Sequence, residues 1–156
     1  MRCKERLEAS LREQGVPFQT QHHPIAFTAQ EVAASEHVPG RLVVKVVMVV
    51  AGGQPVMLAL RATDRVDLRK LAAVLGVTEV RLAEERQFGA LFPDCELGAM
   101  PPFGNLYGVP VYVDTALAED ETIVFQAGTH TDTMSLKYAD FARLVRPAVA
   151  DFAERI

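Results

Sequence analysis

Cysteine is scarce: Cys3 and Cys95 are the only two among 156 residues, and neither belongs to a CxxC pair. Two thiols so far apart in sequence make no disulfide framework of the kind that staples small secreted domains. Both read as bystanders, and a reducing cytosol as the simplest home. Long apolar runs are also missing. The strongest is broken by Lys45, Gly52 and Gly53, well short of the roughly 20 residues that span a bilayer. The opening MRCKERLEAS is too polar for a signal peptide, so no membrane association is expected.

An excess of positive charge is lacking as well. The net charge of −4 provides no global field toward nucleic acid, and any RNA contact would need a local basic patch. The nucleotide fingerprints GxGxxG and GxxxxGK[ST] do not occur, nor does the GxSxG nucleophile elbow. His22 and His23 are adjacent and point to opposite faces of an extended segment. With His37 they match none of the usual zinc spacings, so neither a metal nor a cofactor is expected.

What is present describes a folded domain. Hydrophobic residues make up 49% and charged residues 23%, and the length suits one domain over residues 1–156. Leu7 and Leu11 lie one helical turn apart among charged residues, predicting a helix over 2–14 that ends at Gly15 and Pro17. Thr28 precedes Glu31 by three residues, the spacing of a capping box, which predicts a second helix from Ala29.

LVVKVVMVVA and PVMLALR flank Gly52, Gly53 and Gln54 as the strands of a hairpin. Asp67 and Gly76 bracket a further helix, and a short one is expected over Glu84 to Leu91. GVPVYVD, ETIVFQAG and TDTMSLKY read as strands. Phe141, Leu144 and Val145 predict a helix from Tyr138, with Pro147 restarting a last helix toward Phe152. Hairpins interspersed with helices favour an α+β fold with a mixed, mostly antiparallel sheet over a doubly wound parallel one.

Three features stand out from this frame. Lys45 shares its strand face with Val43, Val47 and Val49, and the strand ends lie beyond its reach at roughly 3.3 Å per residue. A buried ammonium needs a carboxylate, a cavity or a ligand, so Lys45 reads equally as half of an ion pair, as an edge-strand lysine or as part of a pocket. ELGAMPPFGNLYG crowds Gly98, Pro101, Pro102 and Gly104 into one loop before a strand. It is an ordinary Pro/Gly connection or a rigid loop whose amides can hold an oxyanion. QAGTHTDT places Gly128, Thr129 and His130 in a turn, where the histidine is surface decoration or a proton carrier.

In their order and spacing, HHPIAFTAQEVA, Lys45 in its apolar strand, the G-x-x-P-P-x-G of GAMPPFG and the AGTH turn resemble the YbaK/EbsC family. These proteins are free-standing relatives of the editing domain inserted in bacterial prolyl-tRNA synthetases. The resemblance implies a partly barrel-like central sheet and an aminoacyl-tRNA deacylase that acts in trans, without metal or covalent intermediate, on a small amino acid such as Ala or Cys on tRNA(Pro). Mischarged tRNA is the implied partner, with prolyl-tRNA synthetase a further one.

Carried over, Lys45 anchors the aminoacylated 3′ end. Gly98, Pro101, Pro102 and Gly104 form one wall, and Gly128, Thr129 and His130 another, with water as nucleophile. Alanine-specific members follow the lysine with asparagine, where this chain has Val46, although His130 matches their histidine. Arg61, Arg65, Arg69 and Lys70 are the densest basic segment and Arg2, Lys4, Arg6 and Arg12 decorate the first helix; either group is a tRNA contact or a solvated face. Two other functions fit the same residues: a non-catalytic module that binds an aminoacyl end or a small ligand, and an enzyme in which Lys45 forms a Schiff base.

Overall fold

The computed structural model describes residues 2–26, 28–36 and 39–155; the expectation attached to His37 lies outside them. The elements in chain order are α1 (Cys3–Glu13), β1 (Gln19–His22), α2 (Ala29–Glu36), β2 (Val44–Ala51) and β3 (Gln54–Arg61). There follow β4 (Asp64–Val66), α3 (Leu68–Leu75), β5 (Val80–Leu82), α4 (Glu85–Leu91), β6 (Val111–Asp114) and β7 (Thr122–Gln126). The chain continues through β8 (Asp132–Lys137), α5 (Tyr138–Val145), β9 (Ala148–Ala150) and β10 (Ala153–Arg155).

The β2–β3 hairpin organises the fold. Ala51 pairs with Gln54 across a two-residue turn, and Gly52 and Gly53 both take the positive φ that such a turn demands. β5 pairs with β2, β6 runs parallel to β3 and β9 parallel to β6, giving a mixed five-stranded sheet. β1, β8 and β7 form a second, antiparallel sheet, and β4 pairs with β10. The sheets do not close into a barrel.

The predicted alternation of β2 shows in its packing. Val44 and Met48 enter a core with Leu7, Leu11, Phe103, Phe125 and Phe141. Val49 packs on the other face with Leu71 and Phe152, and Val43 with Val32 and Ala33. Helix ends follow local chemistry. The Asp67 carboxylate accepts from the N–H groups of Arg69 and Lys70, and Gly76 closes α3 in the left-handed conformation.

Two expectations fail. The helix after Pro147 is absent: Arg146 ends α5 with φ 51°, and Ala148–Ala150 pairs with Tyr112–Asp114 instead. Backbone pairing to an open sheet edge outweighs helical spacing in so short a segment. The cysteines are not bystanders either, since Cys3 and Cys95 form a disulfide across 92 residues with Cα atoms 4.9 Å apart. The start of α1 lies against the loop after α4, where Cys3 N–H donates to Asp94 O at 3.1 Å. They therefore no longer argue for a reducing compartment. Among the described residues no helix is long and apolar enough to cross a membrane.

Candidate active site

A cavity of about 250 Å³ opens between the start of α2, β2, the loop that follows α4 and the end of β7. Thr28, which caps α2, contributes with Ala29 and Gln30 of that helix, and β2 contributes Val44, Lys45 and Val46. Gly98 and Met100 come from the loop, and Gln126 from β7. None of these residues is an acid, a cysteine or a histidine.

Lys45 is half-buried and its Nζ donates to the backbone carbonyl of Asp64. Among the described residues no carboxylate forms an ion pair with it, so the side chain is held by a carbonyl beside a cavity. Burial lowers its pKa below the ordinary lysine value, and the nearby Asp64 charge opposes that only in part.

The loop supplies donors. Gly98 carries φ 83°, and neither its N–H nor that of Met100 donates a hydrogen bond among the described residues, although both residues line the cavity. Uncommitted backbone amides at a cavity are suited to a developing oxyanion. Neighbouring amides are committed: Glu96 N–H donates to Gly128 O at 2.8 Å and Gly128 N–H to Ala99 O at 2.9 Å. The loop is thereby laced to the AGTH turn.

His130 belongs to this lacing. Its backbone N–H donates to the Glu96 carboxylate at 2.9 Å, and its ring Nε2 lies 2.8 Å from Leu97 O. Its Cε1 would lie 3.7 Å from a Cβ added at Gly98. Thr129 donates its hydroxyl to Asp132 at 2.6 Å. Burial pushes the Asp132 carboxyl up, but hydrogen bonds from Thr129 and His22, together with Lys4, outweigh it and leave the pKa below the ordinary value.

The structure therefore brings Lys45 and Gly98 to the cavity and sets His130 and Thr129 beside it. Pro101, Pro102 and Gly104 are buried and do not line the cavity. A Cβ on Gly104 would meet Val109 O at 2.8 Å, so this glycine serves close packing. Gly128 is buried against Cys3, whose Sγ would lie 2.7 Å from an added Cβ.

The basic segment is partly neutralised. Arg61 is paired with Asp120 at 2.8 Å, Arg65 with Glu154 and Lys70 with Asp151; Arg69 has no ion pair among the described residues. In α1, Lys4 pairs with Asp132, Arg6 with Asp94 and Arg12 with Glu8.

Sequence reasoning missed Thr28, Gln30, Met100 and Gln126 as lining residues. Thr28 was legible only as a helix cap, a role it keeps by accepting from Glu31 N–H at 3.0 Å. Gln126 had one available signal, a polar residue closing the apolar run TIVF just before a glycine turn.

The family model of the aminoacyl-tRNA editing domain matches residues 23–144. The chain belongs to this family. Members hydrolyse the ester of aminoacyl-tRNA, and the match takes in Lys45, both glycine loops and Gln126.

This editing domain is 29% identical over 153 residues to the multifunctional Ser/Thr-tRNA deacylase ProXp-y of Escherichia coli K12, covering 95% of this chain and 91% of that protein. It is 33% identical over 112 residues to the proline–tRNA ligase of Thiobacillus denitrificans, covering 71% of this chain and 18% of the ligase. The fold matches the crystal structure of a candidate trans-editing enzyme for prolyl tRNA synthetase with a TM-score of 0.85, at 22% identity and 97% coverage of both chains.

Proposed function

We propose that this editing domain works as a single free-standing unit, in trans and in the cytoplasm, to deacylate a tRNA mischarged with a small amino acid. The carrying observation is that, among the described residues, one cavity holds a lysine without an ion-paired acid together with two uncommitted backbone amides, and is lined by no cysteine, histidine or acid. An aminoacyl ester is already labile, so orienting it and stabilising its oxyanion suffice.

In this reading the Lys45 ammonium anchors the 3′ end of the tRNA. The amides of Gly98 and Met100 receive the carbonyl oxygen as it becomes an oxyanion. Water attacks the ester carbon with the free hydroxyl of the terminal ribose beside it, and His130 is a positioning residue that holds the loop. Thr28, Gln30 and Gln126 bring polar side chains to the cavity wall, which favours serine and threonine over the alanine or cysteine implied by the family resemblance. The named activity of ProXp-y agrees with that preference.

Because related domains occur within proline–tRNA ligases, tRNA(Pro) is the first tRNA to examine and prolyl-tRNA synthetase the first protein partner. A panel of mischarged tRNAs tests the proposal. Catalytic release of amino acid supports it; a protein that slows ester loss is a binding module, and the reading fails.

A further inference from the structure

Gln126 closes β7 between Phe125 and Ala127, both fully buried, and its backbone pairs with Thr133. Its position is therefore set by the sheet, while its side chain reaches the cavity wall. Nε2 donates to Ala26 O at 3.0 Å. A carbonyl oxygen only accepts, so the amide nitrogen faces Ala26 and the reverse orientation would set two acceptors against each other.

The second hydrogen of the same amide is committed too. His130 Nε2 lies 2.8 Å from Leu97 O, another oxygen that only accepts, so in the neutral imidazole the proton resides on Nε2 and Nδ1 is an acceptor. Nδ1 lies 3.4 Å from Gln126 Nε2. With both amide hydrogens engaged, what Gln126 offers the cavity is Oε1, an acceptor without a partner among the described residues.

We infer that Gln126 is a specificity-determining residue whose Oε1 accepts a hydrogen bond from the side-chain hydroxyl of a seryl or threonyl ester. This rests on the deacylase reading above and names the group that recognises its substrate. The competing donor is the α-ammonium common to every aminoacyl ester. Among the described residues no acid lines the cavity, and Lys45 is a cation on its wall. An ammonium is repelled there and a neutral hydroxyl is not, so the α-ammonium points toward the solvent-facing mouth.

The test compares Ser-, Thr- and Ala-charged forms of one tRNA, with kcat/KM measured for wild type and Gln126→Leu. The expected result is a roughly tenfold fall in the Ser/Ala and Thr/Ala ratios, the scale of one lost hydrogen bond. Equal losses on all three substrates overturn the inference, because a purely structural glutamine or an ammonium contact predicts that pattern. Unchanged ratios overturn it as well. Gln126→Met, similar in length, supplies the same comparison if the leucine variant does not fold. A wild type inert on all three esters sinks the deacylase reading and this inference with it, whereas an active wild type with unaltered ratios in the variants sinks the role of Gln126 alone.

Discussion

His130 donates its ring Nε2–H to the carbonyl oxygen of Leu97, and through that bond the AGTH turn grips the loop that carries Gly98. The histidine is thus engaged in holding a wall. Replacing it by glutamine is expected to lower kcat/KM roughly tenfold, on the scale of one or two hydrogen bonds, and to speed amide exchange in residues 96–100. The pH–rate profile should keep its shape between about pH 5 and 8. A general base at this position would instead impose a rising limb in that window, and the variant would lose it.

Arg61 and Asp120 form a pair whose side chains are 16% and 3% exposed, and hydrogen bonding to Asp120 raises the guanidinium's pKa further. Such a pair is architecture before it is a phosphate contact. Arg61→Ala should cost about 3–5 kcal/mol in urea unfolding, because Asp120 is left buried and uncompensated. The slope of log affinity for tRNA against log salt should stay constant, whereas loss of a phosphate contact would reduce it by about one.

Much of this was legible locally. Gly52 and Gly53 announced the hairpin, Asp67 and Gly76 the ends of α3, and the alternation around Lys45 both faces of β2, because each of these signals lies within a few residues of its consequence. What stayed hidden depends on distant partners. Ala148–Ala150 is a strand only because the edge of β6 is open to it, and the Cys3–Cys95 bond spans 92 residues. Arg61 reads as basic surface until Asp120, 59 residues away, folds against it. In the site, Lys45 and Gly98 were visible as residues out of keeping with their surroundings. Gln126 was not, since a glutamine at a strand end is ordinary until Ala26 and His130 occupy its amide.

The disulfide lies behind both glycine loops, so its reduction should be felt as lost stability. Closing a loop of this length is worth up to about 4.6 kcal/mol in chain entropy, and thermal unfolding with and without a reductant measures it. Gly128→Ala should destabilise through the same contact, since its Cβ would sit 2.7 Å from Cys3 Sγ on a backbone with φ 97°. Identical midpoints in oxidised and reduced protein would contradict the packing described.

Lys45 carries the clearest pH dependence. Burial lowers its pKa in the folded protein below the 10.5 of a free lysine. At neutral pH the ammonium is therefore present at a cost to stability. That cost is relieved as pH rises from the folded pKa toward 10.5, because the native state then sheds the proton first. Activity moves in the opposite sense: once spontaneous ester loss is subtracted, kcat/KM should fall on an alkaline limb centred below 10.5. Lys45→Arg, which stays charged, should remove that limb at a reduced overall rate. A limb that survives in this variant would assign it to another group.

The most direct measurement is multiple-turnover release of serine, threonine and alanine from mischarged tRNA(Pro), by wild type and by Lys45→Ala. The account predicts turnover by wild type and a fall of about 10- to 150-fold in kcat/KM for the variant, the range for losing a hydrogen bond to a charged group. Protection of the ester by wild type, or an undiminished rate in Lys45→Ala, would contradict it.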